Sequence, residues 1–422
     1  MRVLMFGWEF PPYISGGLGT ACYGLTKGLM EHGAEVLFVV PRLFGGEESG
    51  AMRMIGASEA GISEEFSRFI ERGKMQLLQV NTTLFPYATE ETYATGIQNS
   101  YIAEQRRPHI AMGEGITGLY GNGLMDEVYR YASLAPHIAE QHSFDLVHSH
   151  DWLTFPAGMA ASAHSGKPLV VHLHATEFDR SGNHPNEKVK FIEEIGMKAA
   201  DRIIAVSEYT KNLAIKQYHI SENKIDVVHN GVMQGFAGQM EKSKKPFPVV
   251  VFLGRVTFQK GPEYFLHAAA KVLRKNPDVR FVVAGHGDKL LSMITLAAQL
   301  KISSRVSFTG FIQGDDIGEL FGSSDVYVMP SVSEPFGISA LEAARAGVPV
   351  IISRQTGVAE VLNSALKMDF WDTDGMADAI MALLKHHSLS RWMSRNGLQQ
   401  ARLQTWNKAA SRVLRTYSKL LS

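Results

Sequence analysis

The feature that most constrains this chain is an alternation, repeated along most of its length, of short apolar runs with segments of helical periodicity. RVLMFGW from Arg2 and EVLFVVP from Glu35 flank a helical pattern from Thr20 to Glu31. Strand, helix, strand in that order makes the two strands parallel, because the helix carries the chain back to the starting edge, and a parallel sheet buries both faces. The alternation continues through DLVHSH (145–150), PLVVHLH (168–174), RIIAVS (202–207) and KIDVVHNG (224–231). Between Arg42 and Pro136 it is less regular, with Gly-rich loops and the segment LFPYATEETYATG, and reads as a partly helical elaboration of the same sheet.

The segment EKSKKPFP, residues 241–248, is charged, carries two prolines and has no periodicity, which marks an interdomain linker. The alternation then restarts: VVVFLGRV, RFVVAGHG, RVSFTGF, DVYVMPS and VPVIIS are strands separated by helical patterns. The expected fold class is therefore α/β, with two doubly wound parallel-sheet (Rossmann-like) domains. They cover residues 1–240 and 249–400, and a last helix follows at 401–422, in which Trp406, Val413, Leu414, Tyr417 and Leu420 recur at helical spacing. Such sheets bind ligands at the carboxyl ends of their strands, so functional residues are expected just after strands.

Composition narrows the function classes. Lys plus Arg and Asp plus Glu are both 42, so the formal charge is zero and no bulk field attracts nucleic acid or an anionic membrane. Cys22 is the only cysteine, which excludes an internal disulfide and suits a reducing compartment, so the expected location is the cytoplasm. No apolar run approaches the ~18 residues that a membrane span needs. The N-terminal run is broken by Gly7 and Glu9, too short for a signal-peptide core.

Five stretches carry chemistry. In GWEFPPYISGGLGT, Gly16, Gly17 and Gly19 precede a helix, where free amides favour an anion; a plain tight turn is the alternative. The spacing is not Gly-x-Gly-x-x-Gly, which argues against a nicotinamide cofactor. His148-Ser149-His150-Asp151 and His172-Leu173-His174 each end a strand. They read either as a metal cluster, as in a metal-dependent hydrolase, or as pairs in which one imidazole packs inside and the other meets a polar substrate. In LGRVTFQKG, Arg255 and Lys260 follow a strand and can neutralise a diphosphate, or stand as solvated surface cations. In AGHGDKLL, Gly285 and Gly287 flank His286 at a strand-to-helix turn that suits a nucleotide pocket.

The fifth stretch is SEPFGISALEAARAGVPV (333–350). Pro335 suits a helix start, and the amides of Gly337 and Ile338 can face a phosphate. Glu334 and Glu342 are eight residues apart. At helical rise that is roughly 12 Å, the reach from a sugar across two phosphates to a ribose; the bland alternative is an acidic turn favoured by the helix dipole. Asp372-Thr373-Asp374 reads as a turn before a helix opening at Gly375 rather than as a metal–diphosphate motif. Trp8, Tyr13, Tyr87, Tyr93 and Trp152 are candidates either for stacking on sugars or for packing.

Taken together, these motifs resemble the retaining glycosyltransferases of GT-B fold, in the group that contains glycogen and starch synthases, sucrose synthases and family-four hexosyltransferases. The most specific part is Glu334-Pro335-Phe336-Gly337 through Glu342, joined to Ala-Gly-Val-Pro-Val. The resemblance implies that Arg255 and Lys260 hold the donor diphosphate, that Glu334 contacts the donor sugar and that Glu342 binds the ribose. It likewise implies that His174 lies near the donor sugar, that His150 and Asp151 belong to the His-Asp-Trp of the synthases, and that Gly16 and Gly17 face the phosphates. WEFPP followed by SGGLGTACYGLTKGL is similar to a glycogen synthase, although Ile14 stands where bacterial synthases carry a lysine, and Glu342 is more typical of family four. The implied activity is transfer of glucose from UDP- or ADP-glucose to an α-glucan, without a catalytic metal or other cofactor. A surface polysaccharide, lipid or small-sugar acceptor is the alternative, and a non-catalytic glycan- or nucleotide-binding protein is a third reading.

Overall fold

A computed structural model describes residues 1–8, 10, 17–40, 75–79, 122–233 and 245–422. Gly16, Tyr13, Tyr87, Tyr93 and the first half of the expected linker lie outside the described residues. The chain forms two compact units from discontinuous segments: residues 1–173, 191–204 and 410–422 make one, and 174–190 and 205–409 the other.

The first sheet contains β1 (Arg2–Phe6), β2 (Glu35–Val40), β3 (Met75–Gln79), β4 (Leu146–His150), β5 (Leu169–Leu173), β6 (Arg202–Ala205) and β7 (Ile225–Val227), in the order β3-β2-β1-β4-β5-β6-β7. The pairs β1–β2, β2–β3, β1–β4 and β4–β5 are all parallel. The strand β3, MQLLQ, is not among the expected strands: it lies within the irregular stretch, and a five-residue run without strict alternation has no periodicity to announce it.

The second sheet contains β8 (Val249–Leu253), β9 (Arg280–Ala284), β10 (Val306–Gly310), β11 (Val326–Met329), β12 (Val350–Ser353) and β13 (Leu366–Met368), in the order β10-β9-β8-β11-β12-β13. All its pairs are parallel. Side chains alternate across it, as the two-residue strand period demands. Val250, Phe252, Val326, Val328 and Ile351 enter one buried cluster, which includes residues of the helices Pro262–Lys275 and Thr373–Lys385. Val251, Tyr327, Met329, Val350 and Ile352 enter another, with the helix Ile338–Arg345. Both faces are therefore closed, which explains why these strands read as unbroken apolar runs.

Strand order reverses between β1 and β4 in one sheet and between β8 and β11 in the other. At such a switch point the loops leaving neighbouring strands diverge and open a crevice at the carboxyl edge.

Beside the second switch point the backbone itself is crowded. The Gly254 amide donates to the Ala284 carbonyl at 3.0 Å, and the Gly285 amide to the Gly310 carbonyl at 2.8 Å. Gly285 has φ +138°, and a Cβ there would lie 1.9 Å from the Gly254 oxygen. The first glycine in GHG is thus required by backbone packing. Gly285→Ala is expected to lower stability by more than about 2 kcal/mol in a urea titration; an unchanged midpoint would mean that these two loops do not touch.

Candidate active site

In the second unit, the two loops at the switch point carry Arg255, Lys260, Glu334 and Gly337 of the residues singled out from the sequence. Arg255 stands two residues past β8. Lys260 closes a single 3-10 turn, Phe258–Lys260, just before the helix Pro262–Lys275. Gln259 ties this loop to the one after β11: its side chain accepts from Arg255 Nη2 at 3.3 Å, and its carbonyl accepts from the Val332 amide at 2.9 Å.

Glu334 is fixed at both backbone ends. Its amide donates to the Gln355 carbonyl and its carbonyl accepts from Gly357, both at 2.9 Å. The residue is 5% exposed and its carboxylate forms an ion pair with Lys260, while Ser331 Oγ donates to the same Oε2 at 3.3 Å. A carboxylate this buried is costly without a compensating charge, and Lys260 supplies it. The two side chains thus hold each other at the strand ends, one cation and one anion in contact.

The stretch between Glu334 and Glu342 corrects an expectation. The helix starts at Ile338, not at Pro335, and Gly337 before it has φ +101°. Helical rise therefore does not apply to residues 334–337, and the 12 Å spacing has no basis. A Cβ on Gly337 would lie 2.7 Å from Met329 Cε, so only glycine fits this bend. Glu342 is half-buried on the helix, and burial pushes its carboxyl up to about 7.

Sequence reasoning missed a polar network behind Glu334. Ser333 Oγ donates to Asp179 Oδ1 at 2.5 Å and lies 2.9 Å from the Tyr209 hydroxyl. Asp179 is buried, which pushes its carboxyl up against the hydrogen bonds from Ser333 and Thr176 that pull it down. The Thr176 amide and hydroxyl both donate to Asp179 Oδ2, at 2.8 and 2.9 Å. The signal lies in HATEFDR, as Thr-x-x-Asp, the spacing of a capping box. His174, in the same segment, is half-buried just past β5.

In the first unit, Gly17 is the first residue of the helix Gly17–Glu31 and is exposed, and among the described residues nothing lies within 4 Å of where a Cβ on it would stand. His148, His150 and His172 are buried with their rings stacked. The expectation that one imidazole of each pair packs while the other reaches out fails for His148 and His150. Residues two apart on a strand share a face, and His150 is in register with His172 on the next strand.

The three histidines offer nitrogens within 4.8 Å of one another. The His148 and His150 rings, however, lie 4.4 Å apart and 20° from parallel. A metal lies in the plane of each ring that binds it, about 2 Å from the nitrogen, and face-stacked planes share no such point, which disfavours the hydrolase reading. His148 Nδ1 instead hydrogen-bonds the Tyr417 hydroxyl on the last helix. Asp151 has φ +57°, a conformation uncommon outside glycine that concentrates at functional sites. Trp8 and Trp152 are buried and so pack rather than present faces to a sugar.

Asp372 accepts from the Gly375 amide at 2.8 Å as cap of a helix that starts at Thr373, two residues earlier than expected, and Asp374 pairs with Lys271. Both carboxylates are occupied structurally.

Residues 237–400 match the family described as glycosyl transferases group 1, and residues 104–233 match glycosyltransferase family 4. A D-inositol 3-phosphate glycosyltransferase of Mycolicibacterium smegmatis is 30% identical over 66% of this chain and 68% of its own length. An uncharacterized glycosyltransferase of Methanocaldococcus jannaschii is 26% identical over 99% of this chain and 98% of its own. A glycogen synthase of Mycobacterium tuberculosis is 24% identical over 99% and 94%. Among solved structures, sucrose-phosphate synthase of Thermosynechococcus elongatus superposes with a TM-score of 0.75 at 16% identity, covering 99% of this chain and 98% of its own. Anabaena HepE with UDP and glucose superposes at 0.70 and 17%, covering 100% of both.

The raised carboxyl of Glu342 has a consequence for stability. Its ordinary value is 4.5, so between 4.5 and about 7 the folded chain keeps a proton that the unfolded chain loses. Stability contributed by this group is level below that window and falls as pH rises through it. Relative to Glu342→Gln, the wild type is expected to lose up to about 3 kcal/mol across the window in parallel denaturant titrations; a difference that does not change with pH would contradict the assignment.

Proposed function

The chain belongs to the group 1 glycosyltransferases, and on that premise we propose that it transfers glucose from a nucleoside diphosphate donor, UDP- or ADP-glucose, to a hydroxyl of an α-glucan with retention at the anomeric carbon. The observation that carries this reading is the Lys260–Glu334 pair at the switch point of the second sheet, with Arg255 on the same loop as the lysine.

In the proposed reaction the bond between the anomeric carbon and the β-phosphate oxygen breaks, a bond from that carbon to the acceptor oxygen forms, and the proton of the acceptor hydroxyl passes to the departing diphosphate or to solvent. Negative charge builds on the departing diphosphate. Arg255 and Lys260 are the cations proposed to stabilise it, and preorganised charge of this kind is commonly the largest catalytic contribution. Glu334 is proposed to align the sugar beside the reacting carbon, and Glu342 to accept hydrogen bonds from the ribose. His174, Asp151, the turn at Gly285 and the amides of Gly16, Gly17, Gly337 and Ile338 are proposed further contacts to the substrates.

An α-glucan acceptor is supported by a glycogen synthase relative that covers nearly the whole chain, whereas the inositol-phosphate relative covers two thirds of it. The test is release of UDP and of ADP from the two donors in parallel, with glycogen as acceptor. Turnover with one donor, reduced about a hundredfold or more in Glu334→Gln at little change in unfolding midpoint, is the expected outcome. Transfer to inositol phosphate and none to glycogen would replace the acceptor. Unchanged turnover in Glu334→Gln would remove the catalytic assignment.

A further inference from the structure

The chain as a whole is neutral, yet after Asp378 every charged residue, from Lys385 to Lys419, is Lys or Arg. Within the second unit this bias is concentrated on the helix His387–Arg402. At 3.6 residues per turn, Arg391, Arg395 and Arg402 fall within an arc of roughly 40°. All three are turned away from the core, and the opposite side, Met393, Gly397 and Ala401, is buried. Among the described residues none of these arginines, nor Lys385 or Lys408, forms an ion pair.

Apolar groups stand exposed among these charges. Trp392 is 57% exposed and Leu403, just past the helix, 65%. A row of arginines without carboxylate partners, flanked by an indole and an aliphatic side chain, matches the interface of an anionic bilayer, where the guanidinium groups meet phosphates and the indole settles at headgroup level. Single-stranded nucleic acid fits less well. It is held by aromatic residues that stack successive bases, and Trp392 is the one Phe, Tyr or Trp on this helix.

We propose that the outward face of the helix His387–Arg402 docks the protein on an anionic phospholipid surface, through Arg391, Arg395 and Arg402 with Trp392 as an interfacial anchor. The contact is peripheral, since the apolar side of the helix is committed to the protein core, and it weakens with salt.

Co-sedimentation of the full-length protein with vesicles tests this, using phosphatidylcholine alone and equal parts phosphatidylcholine and phosphatidylglycerol. Binding is expected to the mixed vesicles only. The triple variant Arg391→Glu, Arg395→Glu, Arg402→Glu should bind them at least about a hundredfold more weakly, since each cation is worth about fivefold. The corresponding three Arg→Lys changes should retain binding, and Trp392→Ala should weaken it. The unfolding midpoints and the transfer rate to a soluble acceptor should stay those of the wild type, which separates a docking defect from a folding or catalytic one. Equal binding to neutral vesicles, no binding to mixed ones, or undiminished binding by the charge-reversed variant would overturn the proposal. So would capture of a uridylate oligonucleotide in place of the vesicles.

Discussion

A parallel sheet covered on both sides leaves one place for chemistry, the ends of its strands. In the second sheet of this chain the constraint is strict, because alternate residues of β8, β11 and β12 enter opposite buried clusters and leave little within those strands to face a ligand. Polar function is pushed into the loops that follow. The strand order then selects among the loops, since the switch point lies between β8 and β11. Arg255, Lys260 and Glu334 occupy these two loops.

Holding a glutamate at 5% exposure requires more than a neighbouring cation. Glu334 is clamped through its own amide and carbonyl, Gly337 turns the chain at positive φ where a side chain would strike Met329, and Ser333 anchors the preceding position to Asp179 and Tyr209. Each contact restricts the loop before any ligand arrives. Orientation fixed in advance lowers the reorganisation that a reaction at this site would need. Glu342 differs in kind, for it sits on a regular helix turn and its burial favours the neutral carboxyl.

The two sheets are legible in the sequence because alternation of apolar runs with helical pattern is a property of many residues at once, and the positions of Arg255, Lys260 and Glu334 follow from strand ends. What is not legible depends on single backbone angles or on pairs far apart in sequence. The helix start at Ile338 rests on one glycine at φ +101°. The Asp179–Ser333 contact joins residues separated by 154 positions, and no local spacing encodes that. The histidines show the reverse error: a pattern with a strong chemical association, His-x-His, proves to be a stack of buried rings, with His148 joined to Tyr417 of the last helix. Composition likewise averages away the basic segment after Asp378, because a net charge of zero conceals opposite regions.

If the paired cation and anion at the second switch point form the donor site, a crystal structure of the protein with UDP bound will show it. The diphosphate should then lie within hydrogen-bonding distance of Arg255 and Lys260, with the ribose hydroxyls on Glu342. A nucleotide seated elsewhere, with the Lys260–Glu334 pair untouched and Glu342 away from the ribose, would mean that the donor site has been misplaced.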